Sequence, residues 1–243
     1  HSDIEGLDTT RYGLGWRRTQ SRKAAGDSRV EYETQWSTLV AHDRTRIEGA
    51  EGYDVPTLVG GWQWLRRDVN DKYDPREGNL VELDLGAGIT LDKQEPFYRA
   101  GVRAQQWWPI GKRDVLTLRA EVGKVWSQTD RLPEDFGFRT GGARTIRGYK
   151  YDSIGLPRGD AIIGAPALAV ASIEYMHYFN DLFGMSVFFD AGDATTSFRD
   201  MDMHYGYGIG ALLRTPAGPF MMDLAYGQKD RRLRLHFSLG VAF

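Results

Sequence analysis

The sequence predicts an all-β chain: an antiparallel transmembrane β-barrel, laid out as an up-and-down meander with one long, inward-folding loop. Three observations predict it. From Arg231 to the end the residues alternate, with Leu233, Leu235, Phe237, Leu239, Val241 and Phe243 on one face and Arg232, Arg234, His236, Ser238, Gly240 and Ala242 on the other, the two-residue period of a strand with one oily side. Similar segments recur along the chain between clusters of Gly, Pro, Asp and Asn. No stretch approaches the roughly 18 apolar residues of a membrane helix, yet a barrel wall needs only every second residue to be apolar.

Composition narrows the classes. The chain has 243 residues, a formal net charge of -2 and no cysteine, so disulfides and thiolate sites are excluded and nucleic acid is not an expected partner. His1 to Thr10 is polar and acidic, unlike a signal peptide. The expectation is that a signal has been removed or that the chain is cut from a larger protein.

In chain order, segments 9–19, 29–39 and 57–67 alternate least cleanly and carry Trp16, Trp36, Trp62 and Trp64 on their apolar sides. Val81 to Ile89 places Val81, Leu83, Leu85, Ala87 and Ile89 opposite Glu82 and Asp84. Ala100, Val102 and Ala104 oppose Arg99 and Arg103, and Leu116, Leu118, Ala120 and Val122 oppose Arg119 and Glu121. Beyond residue 166, five strands follow: Ala169 to Tyr175 opposite Ser172 and Glu174, Met185 to Ala191 opposite Phe188 and Asp190, Tyr205 to Leu213 opposite three glycines, Phe220 to Tyr226 opposite Asp223, and the terminal strand. That makes eleven. Bacterial single-chain barrels have an even number, so part of the sheet is expected to lie outside this chain. A soluble sandwich would have to dry out the charged face at great cost, whereas a wet lumen does not. Trp62, Trp64, Trp107, Trp108 and Trp126, with Phe243, are expected in aromatic girdles near strand ends.

One connection breaks the meander, about forty residues from Ser127 to Pro166, a length that usually signals function. At its centre stands Ile146-Arg147-Gly148-Tyr149, after Gly141-Gly142, and on the second strand beyond it Phe188-Phe189-Asp190-Ala191-Gly192. The four-residue motif resembles the loop signature of the outer-membrane assembly-factor and two-partner-secretion barrel superfamily, and Phe188, Asp190 and Gly192 resemble its Phe-x-Asp-x-Gly segment. The stretch after the motif, Tyr149 to Ile154, is similar to the TamA branch. By parity Phe188, Asp190 and Gly192 face the lumen, where a folded-back loop lets Arg147 meet Asp190 as a charge-assisted pair. Gly148 permits a tight turn there, and Tyr149 can stack or hydrogen-bond on the wall.

The resemblance implies a barrel of sixteen strands preceded by POTRA domains, of which 1–243 is the C-terminal part with the POTRA domains and first strands absent. It implies a location in the outer membrane of a Gram-negative bacterium and a role in inserting or secreting other outer-membrane β-barrel proteins, autotransporters among them, through a lateral seam. The last strand borders that seam, with Phe237 and Phe243 on its apolar face, Gly240 permitting a kink and Phe243 an interfacial anchor. Implied partners are outer-membrane lipid or lipopolysaccharide, unfolded client proteins and an inner-membrane-anchored TamB-like protein. A two-partner-secretion transporter for one dedicated passenger, or a passive porin, are the alternatives. No cofactor, metal or catalytic residue is expected: the five histidines lack ligand spacing, no Gly-x-Ser-x-Gly occurs, Gly141, Gly142 and Gly148 are not followed by Gly-Lys-Ser/Thr, and Arg158-Gly159-Asp160 is read as a chance tripeptide.

Overall fold

The structure is a computed structural model that describes every residue except 1, 5, 27–28, 130, 216–217 and 241–243. Alternation dictates strands, and strands are what form. β1 (Ser2–Ile4) is short. Then come β2 (Leu7–Lys23), β3 (Val30–Ile47), β4 (Ala50–Val69), β5 (Gly78–Thr90), β6 (Pro96–Ile110) and β7 (Asp114–Ser127). The long connection holds a small hairpin, β8 (Leu156–Arg158) and β9 (Ala161–Ile163). β10 (Ala167–Tyr178), β11 (Phe183–Thr195), β12 (His204–Thr215), β13 (Gly218–Gly227) and β14 (Arg232–Leu239) complete the chain. All but β8 and β9 form one antiparallel sheet of twelve strands in sequence order, with β1 and β14 at its edges.

The eleven strands expected from periodicity are all present. The three-residue β1 and the β8–β9 hairpin were not legible, being too short to show a period. Three strands are longer than expected: β2, β3 and β4 span 17, 18 and 20 residues, where a tilted membrane strand needs about 9–11. Their excess length carries polar residues on both faces, which blurs the alternation.

The C-terminal wall, β10 to β13, keeps its parity. On β11, Met185, Val187 and Phe189 are exposed on the outside while Ser186, Phe188 and Asp190 are buried within; Leu233, Leu235, Phe237 and Leu239 line the outside of β14. The inner face is charged and paired: Arg103 bridges Glu82 and Glu121, Arg99 meets Asp84, and Gln35, Gln63 and Asp84 form a ladder across β3, β4 and β5.

Two segments cross the inside of the curved sheet. At one rim the 128–166 connection folds inward. At the other the turn 70–77 reaches the far wall, where Asp74 meets Arg214 at 2.7 Å and Arg76 lies 3.7 Å above the Tyr178 ring. This inner packing corrects one expectation. Trp107 is not in an outer girdle but buried on the inner face with Val69, Leu80, Val115, Met176, Tyr178 and Leu212. Trp107 and Trp108 are consecutive, so only one of them can face lipid; Trp108 and Trp126 do. Trp62 and Trp64 face outward, in register with Trp36 and Thr34, with Arg66 and Asp68 following them on that face.

The lipid-facing parity gives a first test. Val187→Arg places a guanidinium in the apolar band and is expected to destabilise the folded protein in lipid vesicles by about 2–4 kcal/mol. Gln35→Arg, on the opposite face, is expected to cost under about 1 kcal/mol, both read from denaturant titration.

Candidate functional site

The inner face of the C-terminal wall has a floor of small residues. In the strand register Asp190 lies beside Gly206 and Gly206 beside Gly227, and one row on Phe188 lies beside Gly208 and Gly208 beside Ala225. Charged residues flank this floor: Arg119 beside Ser172 on one side, Arg232, Arg234 and His236 of β14 on the other. The loop tip lies on it.

Arg147 is 4% exposed and Asp190 is fully buried. The guanidinium grips Asp190 through two hydrogen bonds, Nε to Oδ2 at 2.8 Å and Nη2 to Oδ1 at 3.0 Å, and the Arg147 backbone N–H adds a third at 3.0 Å. Its remaining nitrogen reaches Glu174 at 3.0 Å and Asp223 at 3.4 Å. Ser172 donates to Asp190 at 2.6 Å, and the guanidinium lies 3.4 Å above the Phe188 ring. Burial opposes the Arg147 charge, but Glu174, Asp190 and Asp223 outweigh it and hold the pKa above its ordinary value.

The neighbouring motif residues bind separate strands. Ile146 is fully buried among Phe138, Tyr149, Ile154 and wall residues. Gly148 has φ +92°, and a Cβ there would collide with the backbone of Tyr226 and Gly227, so both conformation and space demand glycine. Its N–H donates to His236. Tyr149 donates to the Tyr205 carbonyl at 3.1 Å and packs edge-on against His204. Arg119 donates to the Thr145 carbonyl at 2.8 Å. The tip thus touches β7, β10, β11, β12, β13 and β14. A cavity of about 110 Å³ lies between it and the 70–77 turn, bordered by Arg144 and Arg147 on one side and Asp74 and Pro75 on the other.

The loop base is anchored on the opposite wall. Arg11 of β2 forks onto Asp135, both bonds 2.7 Å, and also meets Asp43. The Arg11 fork holds the exposed Asp135 carboxyl below its usual range. Tyr53 of β4 donates to Glu134 at 2.8 Å. Asp160, in the β8–β9 turn, donates its backbone N–H to Glu48 at 2.8 Å, and Ala161 packs on Leu7 and Ile47. The Arg158-Gly159-Asp160 tripeptide is a hairpin turn docked on the rim.

Of the residues expected at the site, the structure brings together Ile146, Arg147, Gly148, Tyr149, Phe188 and Asp190. Gly192 is buried two residues further along β11, where a Cβ would meet Val170 and the Ala169 carbonyl. Phe237 is exposed outside and stacks on Phe220 at 6.2 Å. Gly240, φ +76°, follows the last paired residue of β14 and donates its N–H to Pro219. Phe243 lies outside the described residues. Sequence reading missed Glu174 and Asp223 as partners of Arg147, and His236 and Arg234 as partners of Gly148. All four have luminal parity, but the register that brings them together is not visible along one chain.

A family model described as the Omp85 superfamily domain matches residues 2–243. The chain belongs to the Omp85 superfamily. Its fold resembles BamA from Haemophilus ducreyi, in a crystal structure lacking POTRA domains 1–3, with TM-score 0.72 and 18% identity over 96% of this chain and 55% of that one. It also resembles CdiB from Acinetobacter baumannii, with TM-score 0.57 and 10% identity over 94% of this chain and 41% of that one. The chain therefore spans about half the length of these structures. As an Omp85 barrel it belongs in the outer membrane of a Gram-negative bacterium, which accounts for the oily outside and wet inside.

Gly206 gives the test of the docked tip. A Cβ there would collide with the Arg147 carbonyl oxygen, so Gly206→Val is expected to unseat the tip. Trypsin, followed by mass spectrometry, should then cut the Arg147–Gly148 bond in the folded variant and leave it intact in the parent protein.

Proposed function

We propose that this chain is the barrel part of an outer-membrane assembly factor that helps insert or secrete other outer-membrane β-barrel proteins, autotransporters among them, through a lateral seam bordered by β14. One observation carries the reading: the loop tip binds every strand of the C-terminal wall, β14 included, from the luminal side. A wide water-filled pore is a poor use of a lumen so occupied, which weighs against a passive porin. Edge strands present unpaired backbone groups that an incoming strand can add to, and β14 pairs only with β13 among the described residues. Phe237 and the kink at Gly240 suit such an edge. The Arg147–Asp190 pair sets the wall beside it.

The same reading makes unfolded outer-membrane proteins the clients and outer-membrane lipid or lipopolysaccharide the surroundings, with an inner-membrane-anchored TamB-like protein as a further partner. No cofactor takes part and no catalytic residue is assigned. Where the barrel instead exports one dedicated passenger, as in two-partner secretion, general client assembly would not depend on it.

The test is Arg147→Ala in the full-length protein, reading the heat-modifiable gel mobility of clients as well as of the barrel itself. Loss of folded clients is expected. Normal client assembly, with only one secreted passenger lost, would favour the two-partner reading.

A further inference from the structure

Among the described residues, two hydrogen bonds join the edge strand to the loop tip, and both fall on Gly148. Gly148 donates its N–H to His236 Nε2 at 2.9 Å, and Arg234 donates from its guanidinium to the Gly148 carbonyl oxygen at 2.5 Å. Both polar backbone groups of Gly148 are thus taken by side chains of β14, two residues apart and so on one face. Asp230 holds Arg234 at 2.9 Å, which fixes the direction from which the guanidinium approaches. The fit requires contact at van der Waals distance between Gly148 and the Gly227 backbone, so a wider residue on either side would push the loop tip off β13.

The adjoining residue does the complementary task. Arg147 binds β10, β11 and β13 through Glu174, Asp190 and Asp223. Consecutive residues therefore hold the interior of the wall and its edge.

We propose that His236 and Arg234 are positioning residues that latch the edge strand β14 to the loop tip through Gly148, so that release of the tip and release of the edge are one event. This deepens the assembly reading, on which its consequence for clients rests; the latch itself rests on geometry. A backbone N–H only donates, so His236 Nε2 must present a lone pair, and the neutral ring then carries its proton on Nδ1. The charged groups around this ring are Arg147 of the loop tip, Arg234 of β14, Asp223 of β13, which is its cross-strand neighbour, and Asp190 of β11. An imidazolium has no acceptor and would add a third cation beside the two arginines.

Nitrogen-15 spectra of histidine-labelled full-length protein in lipid nanodiscs at neutral pH test this directly. The latch predicts His236 with Nδ1 protonated and Nε2 bare; a proton on Nε2 overturns it. Hydrogen exchange at the Gly148 amide gives a second reading. His236→Leu is expected to accelerate exchange on the order of tenfold, and His236→Gln, which keeps an acceptor at similar reach, to restore protection. Unchanged exchange in the leucine variant overturns the latch, and the tautomer measurement decides the matter should that variant not fold. If exchange rises while client assembly is untouched, the latch stands and the assembly reading fails.

Discussion

A single guanidinium buried among three carboxylates organises this structure. Arg147 comes from a loop and its partners from three strands, so no local interaction could assemble them. Taking these charges out of water costs several kcal/mol per ion, and their attraction offsets that only with good geometry. The geometry is good: a two-bond fork on Asp190, a serine on the same carboxylate, an aromatic face beneath. Such a cluster adds little net stability over an apolar plug of the same volume. What it adds is uniqueness, because any other loop position leaves a buried carboxylate unpaired.

Everything around the cluster serves that placement. Gly206, Gly208, Gly227 and Ala225 clear a floor on which backbone lies on backbone. The loop base is held by Arg11, Tyr53 and Glu48 on the far wall, so the connection spans the curved sheet from inside. The 70–77 turn does the same at the other rim. With β1 and β14 as free edges, these two crossings are what tie the walls together among the described residues. The outer face needs no such devices, since lipid accepts any apolar side chain that follows the period.

How much of this could be read along the chain follows from the same physics. Strand identity is written in alternation, so Leu233 to Leu239 or Met185 to Phe189 are legible from residue types alone, and with them the luminal parity of Asp190. The motif named Arg147. What connects strands is register, and register leaves no local trace: Glu174 and Asp223 have the right parity yet nothing in the sequence brings them to one nitrogen of Arg147. Trp107 shows the limit differently. Its type suggested an interfacial girdle, but its parity put it inside, beneath a turn whose inward path depends on Asp74 finding Arg214. The ends of β2 to β4 hid their strand character because both faces there meet polar surroundings or the loop. Where one face is oily and the other wet, sequence speaks plainly; where protein covers both, it does not.

The central claim is that Arg147 and Asp190 act as one unit holding the loop to the wall. A double-mutant cycle measures that unit directly: Arg147→Ala, Asp190→Ala and the pair, each unfolded reversibly in lipid vesicles. Arg147→Ala strands the buried Asp190 carboxylate, which the double variant removes, while Asp190→Ala leaves Arg147 with Glu174 and Asp223, so the coupling is expected to reach about 2–3 kcal/mol. Additive losses, with coupling under about 0.5 kcal/mol, would contradict the account.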